Sequence, residues 1–200
     1  MNPSRLPMRP EGLAGRIFGR VMEATNESAY HHALALLDPA RDAAMLEIGF
    51  GTGRFLELLL ERLPDGCVAG VDPAATMVDV ARSRRTIRAA AARADLRLGE
   101  AARLPWPDGT FDAAVALHSF QFWPDPLAAA REVLRVLRPQ GRVVLVLREH
   151  PPGRAPAWLP NAISRSGDEP GGARACLRQA GFLIDDDLSP TAASIVAIRP

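Results

Sequence analysis

The 200-residue sequence contains no lysine, and all 24 of its basic residues are arginine. The 23 acidic residues leave a formal net charge of only +1. A strong excess of positive charge, which would favour nucleic acid or a membrane surface, is therefore absent. We do not expect nucleic acid as a partner.

Cysteine is also scarce. Cys67 and Cys176 are far apart and outside any metal-ligand spacing, which predicts free thiols in a reducing cytoplasm and no metal site. No apolar run is long enough for a membrane span, and the N-terminus lacks the apolar core of a signal peptide. With 48% apolar residues, residues 1–200 are expected to form one cytoplasmic domain.

The most informative stretch is AMLEIGFGTGRFL, at positions 44–56. A short apolar run predicts a buried strand, and glycines follow at positions 49, 51 and 53. Leucines at helical spacing come next, so the order is strand, glycine turn and helix, as at the start of a nucleotide-type α/β unit. Alternate glycines allow a tight turn and let a ligand lie against bare backbone.

The spacing of these glycines discriminates between ligands. A dinucleotide fingerprint requires a sixth-position glycine, where this chain has Arg54, and the Gly-Lys-Ser/Thr ending of a phosphate loop is missing. The pattern Glu-x-Gly-x-Gly-x-Gly instead resembles the first motif of the class I S-adenosylmethionine (SAM)-dependent methyltransferases. The alternative is a glycine turn that serves only the packing of the helix on the strand.

The resemblance extends to two further segments. Residues 99–112 resemble the Gly-Asp-Ala, Leu-Pro-Phe and Phe-Asp segment of the small-molecule methyltransferases of ubiquinone and menaquinone biosynthesis, with Glu100 and Trp106 as the departures. Residues 136–142, Val-Leu-Arg-Pro-Gln-Gly-Arg, resemble the same family. These motifs are collinear from Ala43 to Leu147.

This resemblance implies an α/β fold: a Rossmann-like, doubly wound, mostly parallel seven-stranded sheet with an antiparallel last strand and helices on both faces. It also implies S-adenosyl-L-methionine as cofactor, S-adenosyl-L-homocysteine (SAH) as product and a small-molecule acceptor. The sequence carries no signal for an oligomeric state.

An acidic residue, Asp72, ends the second apolar run 19 positions after Gly53. At this distance from a glycine loop a carboxylate can accept hydrogen bonds from ribose hydroxyls, although capping of the next helix is the alternative. The resemblance places Met77 and Glu100 beside the adenine. The predicted cofactor-binding residues are Glu47, Gly49, Phe50, Gly51, Gly53, Asp72, Pro73, Met77, Gly99, Glu100, Ala101, Leu117 and His118.

In an open α/β sheet, ligands lie outside the carboxyl ends of the strands. The end of the predicted fourth strand, 111–117, is therefore expected to face the methyl-transfer end of the cofactor. His118 is the candidate base, with His150 second, although a lone histidine is more often structural. Gln121 and Phe122 stand where many relatives carry histidines, and they are predicted substrate residues.

The segments outside the motifs complete the prediction. Residues 1–40 are predicted to form a helical lid, with a helix over 13–37 that carries Met22, Asn26 and Tyr30; the alternative is a helix that only packs on the sheet. A helix from Ala75 to about Ala94 and a continuous apolar strand over 143–147 are predicted within the motif region. A loop over 149–172 is predicted to replace a larger cap. A helix over 173–180 and strands over 182–188 and 194–198 follow, and Asp185, Asp186 and Asp187 are expected to form a solvated turn.

The sequence thus predicts a SAM-dependent methyltransferase that acts by direct in-line transfer to a small molecule. Two alternatives remain: a SAM-binding module or partner subunit that transfers no methyl group, and a nicotinamide-dependent oxidoreductase on a related sheet.

Overall fold

The computed structural model describes residues 12–148 and 157–200. Within these ranges a seven-stranded sheet has the order β3-β2-β1-β4-β5-β7-β6. The strands are β1 (Ala44–Ile48), β2 (Cys67–Asp72), β3 (Ala94–Leu98), β4 (Phe111–Leu117), β5 (Leu137–Val146), β6 (Leu183–Asp185) and β7 (Ser194–Ile198). The helices are α1 (Gly12–Leu37), α2 (Arg54–Arg62), α3 (Ala75–Ser83), α4 (Arg85–Ala89), α5 (Pro126–Val136), α6 (Ala162–Arg165) and α7 (Glu169–Ala180).

Strands β1 to β5 are mutually parallel, and β7 pairs antiparallel with both β5 and β6. Side chains on one face of the sheet form a core with α5 and α7, whereas those on the other face form a second core with α1, α2 and α3. Because both faces are covered, β1 is buried along its whole length. The predicted fold class, including the antiparallel last strand, is confirmed.

Local signals explain where several helices begin and end. Asp125 and Asp168 cap α5 and α7 by accepting backbone hydrogen bonds from Ala128 (3.0 Å) and Gly171 (2.9 Å). Gly181, at φ +112°, ends α7 in the left-handed conformation.

Some boundaries differ from the sequence prediction. The helix predicted to continue to about Ala94 is divided into α3, α4 and a short 3-10 turn, because Arg84 adopts an extended backbone. Strand β5 begins at Leu137, before the expected Val143, because an irregular register opposite Phe111 to Ala113 lets the pairing start earlier.

The segment predicted as a loop over 149–172 is helical in part. Helix α6 lies inside it, and α7 begins at Glu169 instead of Ala173 because Asp168 caps it and Pro170 occupies its first turn. Further on, Asp185 ends β6 and accepts a hydrogen bond from the Leu188 amide (3.0 Å), while Asp186 pairs with Arg174. The three aspartates therefore open a turn, as predicted.

Candidate cofactor and acceptor site

A cavity of about 400 Å³ lies at the carboxyl ends of the central strands. Parallel α/β sheets bind ligands at this edge. Nearly all the predicted cofactor residues line the cavity: Glu47, Gly49, Phe50, Gly51, Asp72, Pro73, Met77, Gly99, Glu100, Ala101, Leu117 and His118. The predicted substrate and lid residues Asn26, Tyr30, Gln121 and Phe122 line it too, while the side chain of Met22 and the whole of His150 are outside the described part of the structure.

The three glycines of the loop have different functions. A Cβ on Gly49 would lie 2.5 Å from that of Ser119, and one on Gly53 would lie 2.7 Å from that of Ala81, so both glycines permit close packing. Gly53 does not line the cavity. At Gly51, where φ is +53°, an added Cβ would meet no atom within 4 Å, so the bare backbone borders open space.

Asp72 holds this loop in place. Its Oδ2 accepts a hydrogen bond from the Gly51 amide (2.8 Å), and its Oδ1 accepts one from the Ala74 amide at the start of α3 (2.9 Å). Asp72 is not the N-cap of α3, because Ala74 holds that position without a side-chain cap. Each carboxylate oxygen can still accept a further bond from a ligand. Burial raises the pKa of Asp72 to about 6, although the two backbone hydrogen bonds oppose the shift.

Glu47 is a buried acid on the same wall. It is 2% exposed, and among the described residues its Oε2 has no hydrogen-bond partner. Burial, followed by the nearby Asp72, raises the pKa of Glu47 well above its ordinary value. A buried carboxyl oxygen without a partner is costly, and it fits a ligand that brings a donor or a positive charge.

His118 follows β4 in a left-handed conformation, at φ +50°. Its backbone amide donates to the Val146 carbonyl (2.8 Å), and its Nδ1 lies 3.1 Å from Oδ1 of Asn26. Because an amide oxygen only accepts, Nδ1 carries the proton and Nε2 keeps a lone pair. Burial, followed by the positive charge of Arg148, lowers the pKa of His118 to about 4. The ring is therefore neutral at pH 7.

Helix α1 supplies one wall of the cavity. Asn26 also hydrogen-bonds Tyr30, whose pKa is raised to about 12 chiefly by burial. The ring centroids of Tyr30 and Phe55 are 5.8 Å apart, and Glu23 pairs with Arg84 of the α3–α4 junction at 2.9 Å. These contacts hold α1 against α2 and the α3–α4 junction, so that Glu23, Asn26 and Tyr30 line the cavity.

Sequence reasoning missed several cavity residues. Arg148 follows β5, and its Nη2 donates to Oδ1 of Asn26 at 3.4 Å. Trp158 stacks on Phe122, with ring centroids 6.3 Å apart and ring planes at 13°. The signal for Arg148 is its position directly after a continuous apolar strand, where ligand-binding residues occur; Trp158 follows a proline-rich segment with no such signal.

Metal ligands do not cluster in the part of the chain that the structure describes. Within 12–148 and 157–200, no three His, Cys, Asp or Glu side chains converge as a metal site would require. None of the described helices combines the length and apolar character that crossing a bilayer needs.

This fold and this glycine-lined cavity are those of a class I SAM-dependent methyltransferase. Residues 46–145 match the model of the family described as "Methyltransferase domain", which is half of the chain, so the chain belongs to this family. The nicotinamide-dependent alternative is not favoured.

Similar proteins include an uncharacterized methyltransferase of Mycobacterium tuberculosis, 40% identical over 114 residues that cover 57% of this chain and 43% of that one. The demethylmenaquinone methyltransferase of Deinococcus radiodurans is 38% identical over 110 residues, covering 54% and 43% of the two chains. The match thus spans less than half the length of these relatives.

Solved structures also resemble the chain. The [4+2]-cyclase SpnF superposes with a TM-score of 0.67 and 26% identity, covering 80% of this chain and 58% of that chain. A SAM-dependent methyltransferase from Aquifex aeolicus gives a TM-score of 0.64 at 17% identity, covering 100% and 94%, which shows a shared fold.

Proposed function

We propose that this chain transfers the methyl group of S-adenosylmethionine to a small-molecule acceptor. The observation that carries the proposal is the open backbone of Gly51 beside two buried acids, Glu47 and Asp72, at the ends of neighbouring strands. A turn without side chains leaves room for a ligand, and the acids offer acceptors to a ligand rich in donors.

The residues present fit this cofactor. Glu47 would accept from the ammonium of its methionine part, and Asp72 from the ribose hydroxyls. Glu100 and the Ala101 amide would contact the adenine, with Met77 against the ring. When bound, S-adenosylmethionine supplies a methyl group already activated on a positively charged sulfur.

The protein then has to orient the acceptor and exclude water. A cavity of about 400 Å³ is of the size that small-molecule sites have. Correct orientation of two bound reactants can remove ~7–11 kcal/mol of a barrier. Residues 1–40, through α1, would act as the lid, and the segment 149–172 would border the acceptor where longer relatives have a cap.

His118 contributes by position more than by basicity. With a pKa of about 4 it is a weak proton acceptor at neutral pH. We expect Nε2 of His118 to accept a hydrogen bond from the small molecule that receives the methyl group. Gln121 and Phe122 would lie beside that small molecule. Two thiols without disulfide partners suit the reducing cytoplasm where we expect the reaction to occur.

A second candidate is SAM binding without methyl transfer. Two observations support this candidate. The chain is similar to a protein described as a [4+2]-cyclase, and His118 is a weak base. It predicts SAM affinity with no release of SAH in the presence of any acceptor.

Calorimetry with SAM, SAH and NADH tests the cofactor assignment. We expect SAM and SAH to bind and NADH not to bind. Gly51→Val should weaken SAM binding by at least about 100-fold, because the side chain enters the cavity. The matched control is Gly109→Val: Gly109 is also left-handed, at φ +62°, and also has open space where a Cβ would lie, but it is outside the cavity.

Retained tight SAM binding in Gly51→Val would contradict the assignment of the loop. Transfer of labelled methyl from SAM to a panel of small molecules then separates catalysis from binding alone.

A further inference from the structure

One cation stands out among the residues that form the cavity. Arg148 is the only arginine in the described lining, which otherwise carries acids, neutral polar side chains and apolar groups. It is half-buried, and within the described ranges its one hydrogen bond is the long contact to Asn26 at 3.4 Å. None of the ion pairs found there includes it.

Three acids of the lining are engaged with groups other than Arg148. Glu23 pairs with Arg84, and Asp125 caps α5. Asp72 is bound to the glycine loop. Burial lowers the pKa of Arg148, and no acid of residues 12–148 or 157–200 raises it in compensation. A half-buried guanidinium without a counter-charge is costly to the empty protein and is relieved by an anionic ligand.

The sheet order places Arg148 away from the predicted adenosine contacts. Asp72 and Gly99 follow β2 and β3, on one side of β1, whereas Arg148 follows β5, on the other side. Since strands are ~4.8 Å apart, three strand spacings, roughly 14 Å, separate the ends of β2 and β5. His118 follows the neighbouring strand β4, and the stacked rings of Phe122 and Trp158 line the same cavity.

We propose that the acceptor carries an anionic oxygen group, a carboxylate or a phosphate, on an apolar skeleton, and that Arg148 binds this group. The proposal rests on the proposed function, because it concerns the acceptor of the same site. A guanidinium presents a planar fork of donors that matches carboxylate and phosphate oxygens. The stacked rings of Phe122 and Trp158 offer an apolar wall for the skeleton.

Asn26 orients this group. Its Oδ1 accepts from both Arg148 and His118, so the amide joins the cation of β5 to the histidine of β4. An anion bound to Arg148 would offset the positive charge that acts on His118, so the pKa of His118 should rise on binding.

The test uses pairs of probes that differ in charge and little in shape. Benzoate, benzamide and phenyl phosphate are titrated into the SAH-loaded protein, followed by calorimetry and by the NMR titration of His118. We expect benzoate or phenyl phosphate to bind at least about tenfold more tightly than benzamide and to raise the pKa of His118. Whichever anion binds more tightly identifies the group.

Arg148→Met should abolish this preference while leaving SAH affinity unchanged, and Arg148→Lys should keep part of it. Arg178→Met is the matched control, because Arg178 is an exposed arginine on α7, outside the cavity. A purely structural role for Arg148 would weaken all three probes equally.

Three results would overturn the proposal: neither anion binds the SAH-loaded wild-type protein at millimolar concentration, Arg148→Met keeps the preference, or Arg148→Met loses SAH affinity instead. The last would assign Arg148 to the cofactor carboxylate. Failure of the proposed function is recognised separately, because the wild-type protein would then not bind SAH at all.

Discussion

At the scale of single residues, the site depends on acids that are buried without cations. Asp72 is 5% exposed and Glu47 2%, and no arginine pairs with either in the described structure. Folding alone would not favour two such groups side by side, since burial disfavours both ionised forms. A bound ligand that donates hydrogen bonds to both carboxylates would offset the cost of burying them.

We expect Asp72→Asn to weaken SAM binding by ~1.5–3 kcal/mol, the contribution of a hydrogen bond to a charged group. The amide keeps the shape of the side chain but has no charge and replaces one acceptor oxygen with an NH2 donor. The ribose therefore loses a charged acceptor, and one of the two backbone amides bound to Asp72 loses its acceptor as well. Calorimetric titration of SAM at pH 7.5 measures the change. Asp79→Asn, on the exposed face of α3, is the control and should bind as the wild-type protein does.

Unchanged SAM affinity in a folded Asp72→Asn protein would remove Asp72 from the binding site. The residue would then serve only to hold the glycine loop and the start of α3.

The sequence could predict which residues line the cavity where a motif fixes the backbone, and the binding of the cofactor by these residues stays a prediction. Gly51, Asp72 and Glu100 follow strands whose ends meet at one edge, so their motif spacing places them on one cavity. Gly53 is predicted to bind the cofactor, but it packs against α3. Whether a glycine of the turn borders the cavity or α3 depends on the side of the turn that its Cβ would face, which the spacing of the glycines does not give. Arg148 was missed because its surroundings come from α1, over 100 residues earlier in the chain.

At the scale of elements, ion pairs add to the apolar packing that holds α1 on the rest of the molecule. Arg84 donates to Glu57 of α2 (Nε to Oε2, 2.6 Å) and to Glu23 of α1 (Nη1 to Oε1, 2.9 Å). This pairing also accounts for the break between α3 and α4, because Arg84 leaves the helical conformation where its side chain meets both acids. Helical periodicity contains no information about such long-range pairs.

We predict that Arg84→Met loosens the middle of α1, which lines the cavity. The substitution leaves Glu57, which is 8% exposed, with only a 3.8 Å contact to Arg54. We expect a loss of ~1–3 kcal/mol in the free energy of unfolding and weaker SAH binding. Hydrogen exchange of the amides of residues 23–30, with and without SAH, would report the loosening directly.

Arg85→Met is the control for this prediction, since Arg85 is the exposed neighbour. If amide exchange in α1 is equally slow in both variants, the ion pairs do not hold the helix over the cavity, and the lid assignment of residues 1–40 loses its support.

At the scale of the whole molecule, the fold could be predicted because its signals follow one another in chain order. Buried strands, a glycine turn and capped helices recur with the alternation of a doubly wound sheet, and the register confirms the order. The boundaries that failed, at Leu137 and Glu169, depend on the irregular β4–β5 pairing and on the capping by Asp168. Neither feature alters the pattern of apolar residues along the chain, so the pattern could not predict these two boundaries.

The stability of the molecule should reflect two buried groups with opposite pKa shifts. Asp72 has a folded-state pKa of about 6, above its ordinary 3.8, so its contribution to stability is full below 3.8 and is lost as the pH rises through 6. His118 has a folded-state pKa of about 4, below its ordinary 6.5, so its contribution is full above 6.5 and is lost as the pH falls through 4. Between pH 4 and 6.5 the two contributions change in opposite directions.

Urea denaturation of single variants at pH 4 to 7 should therefore show the contribution of each group to the free energy of unfolding. Relative to the wild-type protein, Asp72→Asn should gain up to about 3 kcal/mol in the free energy of unfolding as the pH rises, since one pKa unit corresponds to about 1.4 kcal/mol. His118→Gln should lose ~1–2 kcal/mol over the same range, a smaller change because the ring is partly exposed. The double variant should fall between the two single variants. Curves of the two single variants that slope in the same direction would contradict the opposite shifts. They would also contradict a cavity whose burial disfavours the charged form of both the acid and the histidine.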